Sequence, residues 1–260
     1  MPAEANAERH DRVSSIERAL AIFEALASSR KGLTLSQVAR NLELARSSTF
    51  YILNTLEQCG YIYRSSARGR YTLTTKLFDL AGRSLSGLGV RDRAAPFLKV
   101  LMDRTGLTVH LAALSQNDLV VVDKIAPPNI NQLATWVGKR LPLHCTGTGK
   151  SLMAYLTDEQ VESHIKRGLT RYNDNTIALG SRLKEELQRV RNQGFALDDE
   201  EETIGLRCIG ATIFDDANQP VAAISVAGTI AQINEDNLNL LAELVKQTAE
   251  HISASFRVRS

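Results

Sequence analysis

The stretch that most restricts the fold is residues 44–73, LARSSTFYILNTLEQCGYIYRSSARGRYTL. Thr49, Ile52, Leu53 and Leu56 recur at i, i+3, i+4 and i+7, which lays one buried stripe along a helix. Gly60 stops that helix. The chain then alternates through YIYR and RYTL around a turn at Ser66 to Gly69, the pattern of a β-hairpin. Upstream, VSSIERALAIFEALAS places Ile16, Ala19, Leu20, Phe23 and Leu26 on one helical face, with Ser14 and Glu17 as a capping box. A turn at Lys31–Gly32 follows. Thr34 and Gln37 form a second capping box that opens LSQVARNL. Three short helices and a hairpin predict a winged helix-turn-helix over residues 12–74.

The polar face of the third helix carries Arg46, Ser47, Ser48, Tyr51 and Thr55. Small hydroxyls at a helix N-terminus can approach phosphates, where backbone N–H groups also point. The hairpin carries Arg64, Arg68 and Arg70 with no acid between them, as a wing beside a DNA groove requires. The alternative is a protein-interaction module with a solvated basic hairpin. The order of the elements favours double-stranded DNA.

The rest of the composition sets bounds. A chain of 260 residues holds one large domain or two smaller ones, and a net charge of +2 names no partner. The N-terminus has no apolar run that would suggest a secretory signal, and no stretch approaches a membrane helix. Cys59, Cys145 and Cys208 suit reduced thiols in a cytoplasm better than a disulfide framework.

Residues 75–89 read as a linker helix, with Leu77, Leu80, Ala81, Ser84, Leu85 and Leu88 on one stripe and Gly87 and Gly89 ending it. Such a stripe must be covered by the protein's own body or by a second copy. A dimer would match a two-fold symmetric operator. From residue 90 to 258 the pattern changes. RDRAAPFLKVLMDRTG reads as a helix with Pro96 in its tolerant first turn. LTVHLAALS and DLVVVDKIA form a hairpin, and NQLATWVG is a third strand. GKSLMAYL, TDEQVESHIKRG and SRLKEELQRVRNQG are helical. LRCIGATIFD and PVAAISVAGT form a second hairpin, and a long C-terminal helix follows a cap at Asn234. The whole is α+β, an antiparallel sheet flanked by helices, similar to small-molecule sensor domains of the GAF/PAS kind.

HCTGTGKS, from His144 to Ser151, imitates a nucleotide-binding loop. Its first required glycine is replaced by His144, and Pro142 interrupts the strand that should precede it. What remains is a turn, Thr146, Gly147, Thr148 and Gly149, feeding a helix N-terminus that favours an anion such as a carboxylate. Lys150 is expected to be solvated.

Six stretches together resemble the IclR family of bacterial transcription regulators: SSIERALAIFEAL, RSSTFYILNTLEQCGYI, GRYTLTTKLFDL, GKRLPLHCTGTGKSLMAYL, GFALDDEETIGLRCIGATIFDD and VAAISVAG. The resemblance implies a ligand-responsive regulator, and more specifically a repressor of a catabolic operon. It implies a DNA-binding N-terminal domain, a C-terminal effector domain and dimers or tetramers on palindromic operators. The effector would be a small organic acid, and no cofactor or metal is implied. It also places Asp198, Cys208 and Ser225 in the effector pocket. Two positions depart from the family's pattern. Tyr51 stands where an arginine is common, and Ala227 replaces the second of two serines. Two other readings use the same residues: a Cys-dependent enzyme built on Cys208, His144 and Asp198, and a metal sensor built on His144, Cys145, Cys208 and Asp198.

Overall fold

The computed structural model describes residues 14–86, 89–115, 118–128 and 133–257. The chain divides into two units, within residues 1–87 and 88–260.

The first unit runs α1 (Ser14–Ala27), β1 (Leu33–Thr34), α2 (Leu35–Asn41), α3 (Arg46–Gln58), β2 (Ile62–Arg64), β3 (Arg70–Leu73) and α4 (Lys76–Ser86). It is a winged helix-turn-helix. The Thr34–Gln37 capping box forms as expected. The expected Ser14–Glu17 box falls on the border of the described residues. Ile22, Leu26, Val38, Leu53, Ile62 and Tyr71 make the core. The face of α1 is therefore rotated from the expected one: Ile22 is buried, whereas Ile16 and Leu20 are more than half exposed. The 3.6 periodicity allows either stripe, and packing against α3 and β3 selects the one through Ile22. Gly32 adopts φ +70°, and a Cβ there would stand 2.6 Å from the Tyr71 carbonyl oxygen. Only glycine permits β1 to reach β3 at that corner.

The second unit begins with α5 (Val90–Thr105), β4 (Thr108–Ser115), β5 (Asp118–Ile125) and β6 (Arg140–Leu141). It continues with α6 (Gly147–Met153), α7 (Asp158–Lys166), α8 (Gly180–Gln193) and β7 (Ala196–Asp199), and ends with β8 (Leu206–Phe214), β9 (Pro220–Thr229) and α9 (Leu238–Arg257). Its sheet is antiparallel throughout, in the order β6-β5-β4-β9-β8-β7. Ile209, Ile224, Val226, Val109 and Leu111 alternate along β8, β9 and β4 and are all buried. Elements α5 and α9 pack against these strands, and α6 packs against β7, β8 and β9. The side chain of Asn234 accepts from the Asp236 and Asn237 N–H groups and caps the turn leading into α9.

Three expectations are corrected here. Pro96 lies well inside α5 rather than in its first turn, because the helix already starts at Val90 behind the left-handed Gly89. NQLATWVG is not a strand. Its residues 131–132 lie outside the described residues, and 133–138 form a turned segment. The carbonyls of Leu133 and Thr135 there accept from Lys124 Nζ, and that of Ala134 from Lys139 Nζ. Side-chain ammonium groups take the places of a ladder. The third strand is instead the short β6. The edge strand β7 lies within an acidic stretch whose sequence gives no alternation.

Candidate functional site

The surface of α3 and the hairpin is built as a shallow hollow. Leu35, Arg46, Ser47, Phe50, Tyr51, Arg64 and Tyr71 line it. Arg46, Ser47, Tyr51 and Thr55 are exposed along α3, as are Arg64 and Arg68 on the hairpin. Ser48 accepts a hydrogen bond from Arg18 Nη1 at 3.2 Å, so α1 supports the start of the helix. Thr55 Oγ1 is turned inward to the Tyr51 carbonyl at 2.9 Å. Arg70 departs from the wing-tip reading. Its guanidinium donates to the Gly32 carbonyl at 2.9 Å and to Gln37 Oε1 at 3.2 Å, which braces β3 against α2. Phe50, 45% exposed and edge-on to Tyr51, went unread because a helical aromatic beside a core stripe looks like core.

In the second unit, antiparallel register puts polar residues into two rows on one sheet face. Partners opposite each other share a face, and residues two apart on a strand share it too. One row is Asp198, Cys208, Ala227 and Thr108. The next is Gly210, Ser225, His110 and Lys124. Asp198, Ser225, Thr108 and His110 are each under 5% exposed. The start of α6 lies against this face. A Cβ on Gly147 would meet the Cys208 carbonyl oxygen at 3.0 Å, and one on Gly210 would meet the Gly147 carbonyl oxygen at 2.3 Å. Two glycines facing each other bring helix and sheet to backbone contact.

The sequence-derived residues thus meet at one place. Cys208 stands directly opposite Asp198 across the β7–β8 ladder. Asp198 Oδ1 accepts the Glu201 N–H at 2.8 Å. Ser225 stands opposite Gly210 on one side and His110 on the other. Thr146 is the N-cap of α6, accepting from the Gly149 N–H at 3.1 Å and donating to the Pro142 carbonyl. Its hydroxyl is spent on shaping the turn. Thr148 and Gly149 are buried behind it.

Three residues of this face were not singled out in the sequence. His110 Nε2 is 2.7 Å from Thr135 Oγ1, and Lys124 Nζ donates to the Leu133 and Thr135 carbonyls at 2.9 and 2.8 Å. Together they hold the 133–135 segment at the sheet. The signal was present in TVHLAALS, where polar Thr108 and His110 alternate with apolar neighbours. Lys150 reverses its expectation. It is 1% exposed, with its ammonium paired to Glu186 at 3.3 Å and to Glu201.

Burial sets the charge states. It raises Asp198 to about 7, against the pull of the Glu201 N–H and Lys150. Burial, then the nearby Asp198, pushes the Cys208 thiol well above the ordinary thiol range. Burial also drives His110 down to about 4, with Lys124 and Lys139 adding to the shift. Both effects favour the neutral thiol of Cys208. His144 Nε2 turns to the Thr170 carbonyl at 2.9 Å, and its ring stacks on Tyr172. Among the described residues no hydrogen bond joins His144 to Cys208 or Asp198. Among the described residues no group of three or more His, Cys, Asp or Glu side chains is placed to hold a metal ion.

Residues 15–66 match the IclR helix-turn-helix domain, and residues 82–254 match the C-terminal domain of the bacterial transcriptional regulator IclR. The chain belongs to the IclR family. It is similar to the transcriptional repressor IclR of Escherichia coli K12, 31% identical over 258 residues, covering 98% of this chain and 94% of that protein. It is also similar to the HTH-type transcriptional repressor AllR of Salmonella typhi, 32% identical over 259 residues, covering 99% and 95%. The crystal structure of the Thermotoga maritima IclR superposes with a TM-score of 0.82 at 28% identity, covering 95% of this chain and all of that one. An IclR homolog from Microbacterium hydrocarbonoxydans complexed with 4-hydroxybenzoate has the same fold, with a TM-score of 0.82 at 20% identity over 94% and 99% of the two chains. As an IclR-family member the chain is a DNA-binding transcriptional regulator with an N-terminal winged helix-turn-helix and a C-terminal effector domain.

Proposed function

We propose that this IclR-family regulator is a cytoplasmic repressor of a catabolic operon, and that a small organic acid bound on the polar sheet face of the second unit sets its affinity for DNA. The convergence of Asp198, Cys208 and Ser225 opposite the start of α6 carries the reading. On that face a carboxylate finds hydroxyl and thiol donors, a protonated fraction of Asp198, and the ammonium of Lys124. Thr146, Gly147, Thr148 and Gly149 form the facing wall. The DNA contacts are assigned to Arg46, Ser47, Ser48, Tyr51, Thr55, Arg64 and Arg68, with Arg70 bracing the wing. Phe50 joins them. A homodimer or homotetramer fits the apolar side chains left on the surface, namely Ile16 and Leu20 on α1 and Phe78 and Leu80 on α4.

The switch requires an effector whose affinity differs between two arrangements of the dimer. Thermal-shift titration of short 2-oxo acids and hydroxybenzoates, with operator binding followed at fixed salt, tests it. An acid that raises the melting temperature of wild type should lose at least about tenfold in affinity in Cys208→Ala and Ser225→Ala. Unchanged affinity in both variants, or a bound acid with no effect on DNA affinity, overturns the reading.

A further inference from the structure

The motif that imitates a nucleotide loop ends in Lys150, and no nucleotide explains that residue. Its side chain runs from α6 into the interior, where it meets Glu186 of α8 at 3.3 Å and Glu201 in the turn after β7. Replacing a buried ion pair by apolar side chains is often neutral or stabilising, so stability alone is a weak reason to keep one. The geometry around Glu201 gives a better reason. Its backbone carbonyl accepts from Asn173 Nδ2 at 3.1 Å and from Thr176 Oγ1 at 2.7 Å, which fixes the turn. Its Oε1 accepts from Lys150, while its buried Oε2 has no hydrogen-bond partner among the described residues. Its N–H donates to Asp198 Oδ1 at 2.8 Å, and Asp198 lies opposite Cys208 across the β7–β8 ladder. Lys150 belongs to the same short helix whose Gly147 lies against Cys208 and Gly210.

We propose that Lys150 is a positioning residue of the effector site. From the core it holds Glu201, and through the Glu201 amide it sets where Asp198 stands beside Cys208. One cation thereby registers two walls of the site, the start of α6 and the end of β7, against each other. The positive charge of Lys150 also acts on the Asp198 carboxyl through space, so the positioning role is read from the Glu201 amide, whose N–H donates to Asp198 Oδ1. The proposal rests on the effector reading of this face, and its test needs no effector.

The full-length protein, labelled with 13C at the aspartate carboxyl carbons, is titrated by NMR, and the Asp198 signal is assigned from its loss in Asp198→Asn. Cys145, Cys208, Glu201, Glu202 and Lys150 are the charged and titratable groups that act on this carboxyl. In Lys150→Met the Asp198 midpoint should rise by about one pH unit, because the neighbouring positive charge is gone. Lys150→Arg should restore it. Loosening of the fold would expose Asp198 and move the midpoint the opposite way, towards ordinary carboxylates, so an upward shift is not a sign of damage. Lys150→Gln keeps an amide donor towards Glu201 and serves as the second variant should the methionine fail to fold, with a smaller rise expected. The Glu201 amide resonance is followed in 15N-labelled samples of the same variants: a folded Lys150→Met or Lys150→Gln in which that amide still reports Asp198 ionisation with the wild-type shift overturns the proposal, whatever the carboxyl midpoint does. A weakened response of the Glu201 amide in a protein that binds no acid keeps Lys150's hold on Asp198 and sinks the effector reading instead.

Discussion

Asp198 shows how one buried carboxyl links recognition to stability. Its folded value, about 7, lies above the ordinary 3.8. Folding therefore favours its protonated form. That contribution is present below the ordinary value, declines as pH rises between the two values, and becomes a net cost above the folded one. The span corresponds to a change on the order of 4 kcal/mol. His110 has the opposite sign: lowered from 6.5 to about 4, it favours the fold as pH rises through that window. In denaturant titrations from about pH 4 to about pH 8, wild type should lose stability relative to Asp198→Asn. Asparagine keeps an acceptor for the Glu201 N–H and cannot ionise. Parallel pH profiles for the two proteins would show that Asp198 titrates normally. At this scale the sequence was only partly readable. Asp198, Cys208 and Ser225 came from family resemblance, and register brought them together. Lys150 departs from the solvated state expected of a lysine after a glycine turn because its partners lie 36 and 51 residues further along the chain.

At the scale of elements, local chemistry was legible wherever it acts within a few residues. The Thr34–Gln37 box, the Asn234 cap, Gly194 at the end of α8 and both long hairpins follow from near neighbours. The failures came from distant partners. The 133–138 segment has strand-like residues, yet Lys124 and Lys139 satisfy its carbonyls. Strand β7 exists because β8 offers it an edge. The contact of α6 with the sheet depends on the absence of two side chains. Gly210→Ala would set a methyl group 2.3 Å from the Gly147 carbonyl oxygen, in contact with backbone that no rotamer change relieves. The helix must lift, at a cost of about 3 kcal/mol. Urea unfolding should report that loss, accompanied by lost acid binding. A variant of wild-type stability would show the packing to be looser than this.

At the scale of the whole molecule, the two units divide the labour: one carries the basic wing and α3, the other the polar sheet face. The DNA contacts and the effector contacts proposed above share no element. Any influence of one on the other is a coupling free energy, and for binding it is reciprocal. If an acid weakens operator affinity by some factor, saturating operator must weaken acid affinity by the same factor. Calorimetric titration of the acid into free and operator-bound protein checks this, and unequal factors would show that a change of assembly state intervenes. The fold class, a winged helix-turn-helix followed by an α+β domain, was legible from periodicity, capping, hairpin patterns and the order of elements, because each unit buries its own stripe.

The sheet of the second unit also bears on how such a regulator changes over generations. Its apolar side, through Val109, Leu111, Ile209, Ile224 and Val226, supports α5 and α9, while its polar side carries Thr108, His110, Cys208 and Ser225. Because neighbours on a strand point to opposite sides, adjacent codons answer to different selective demands. On the effector face proposed above, mutation at one position retunes which metabolite is sensed while the next preserves the scaffold. A lineage can thus acquire a new inducer without first paying in foldedness.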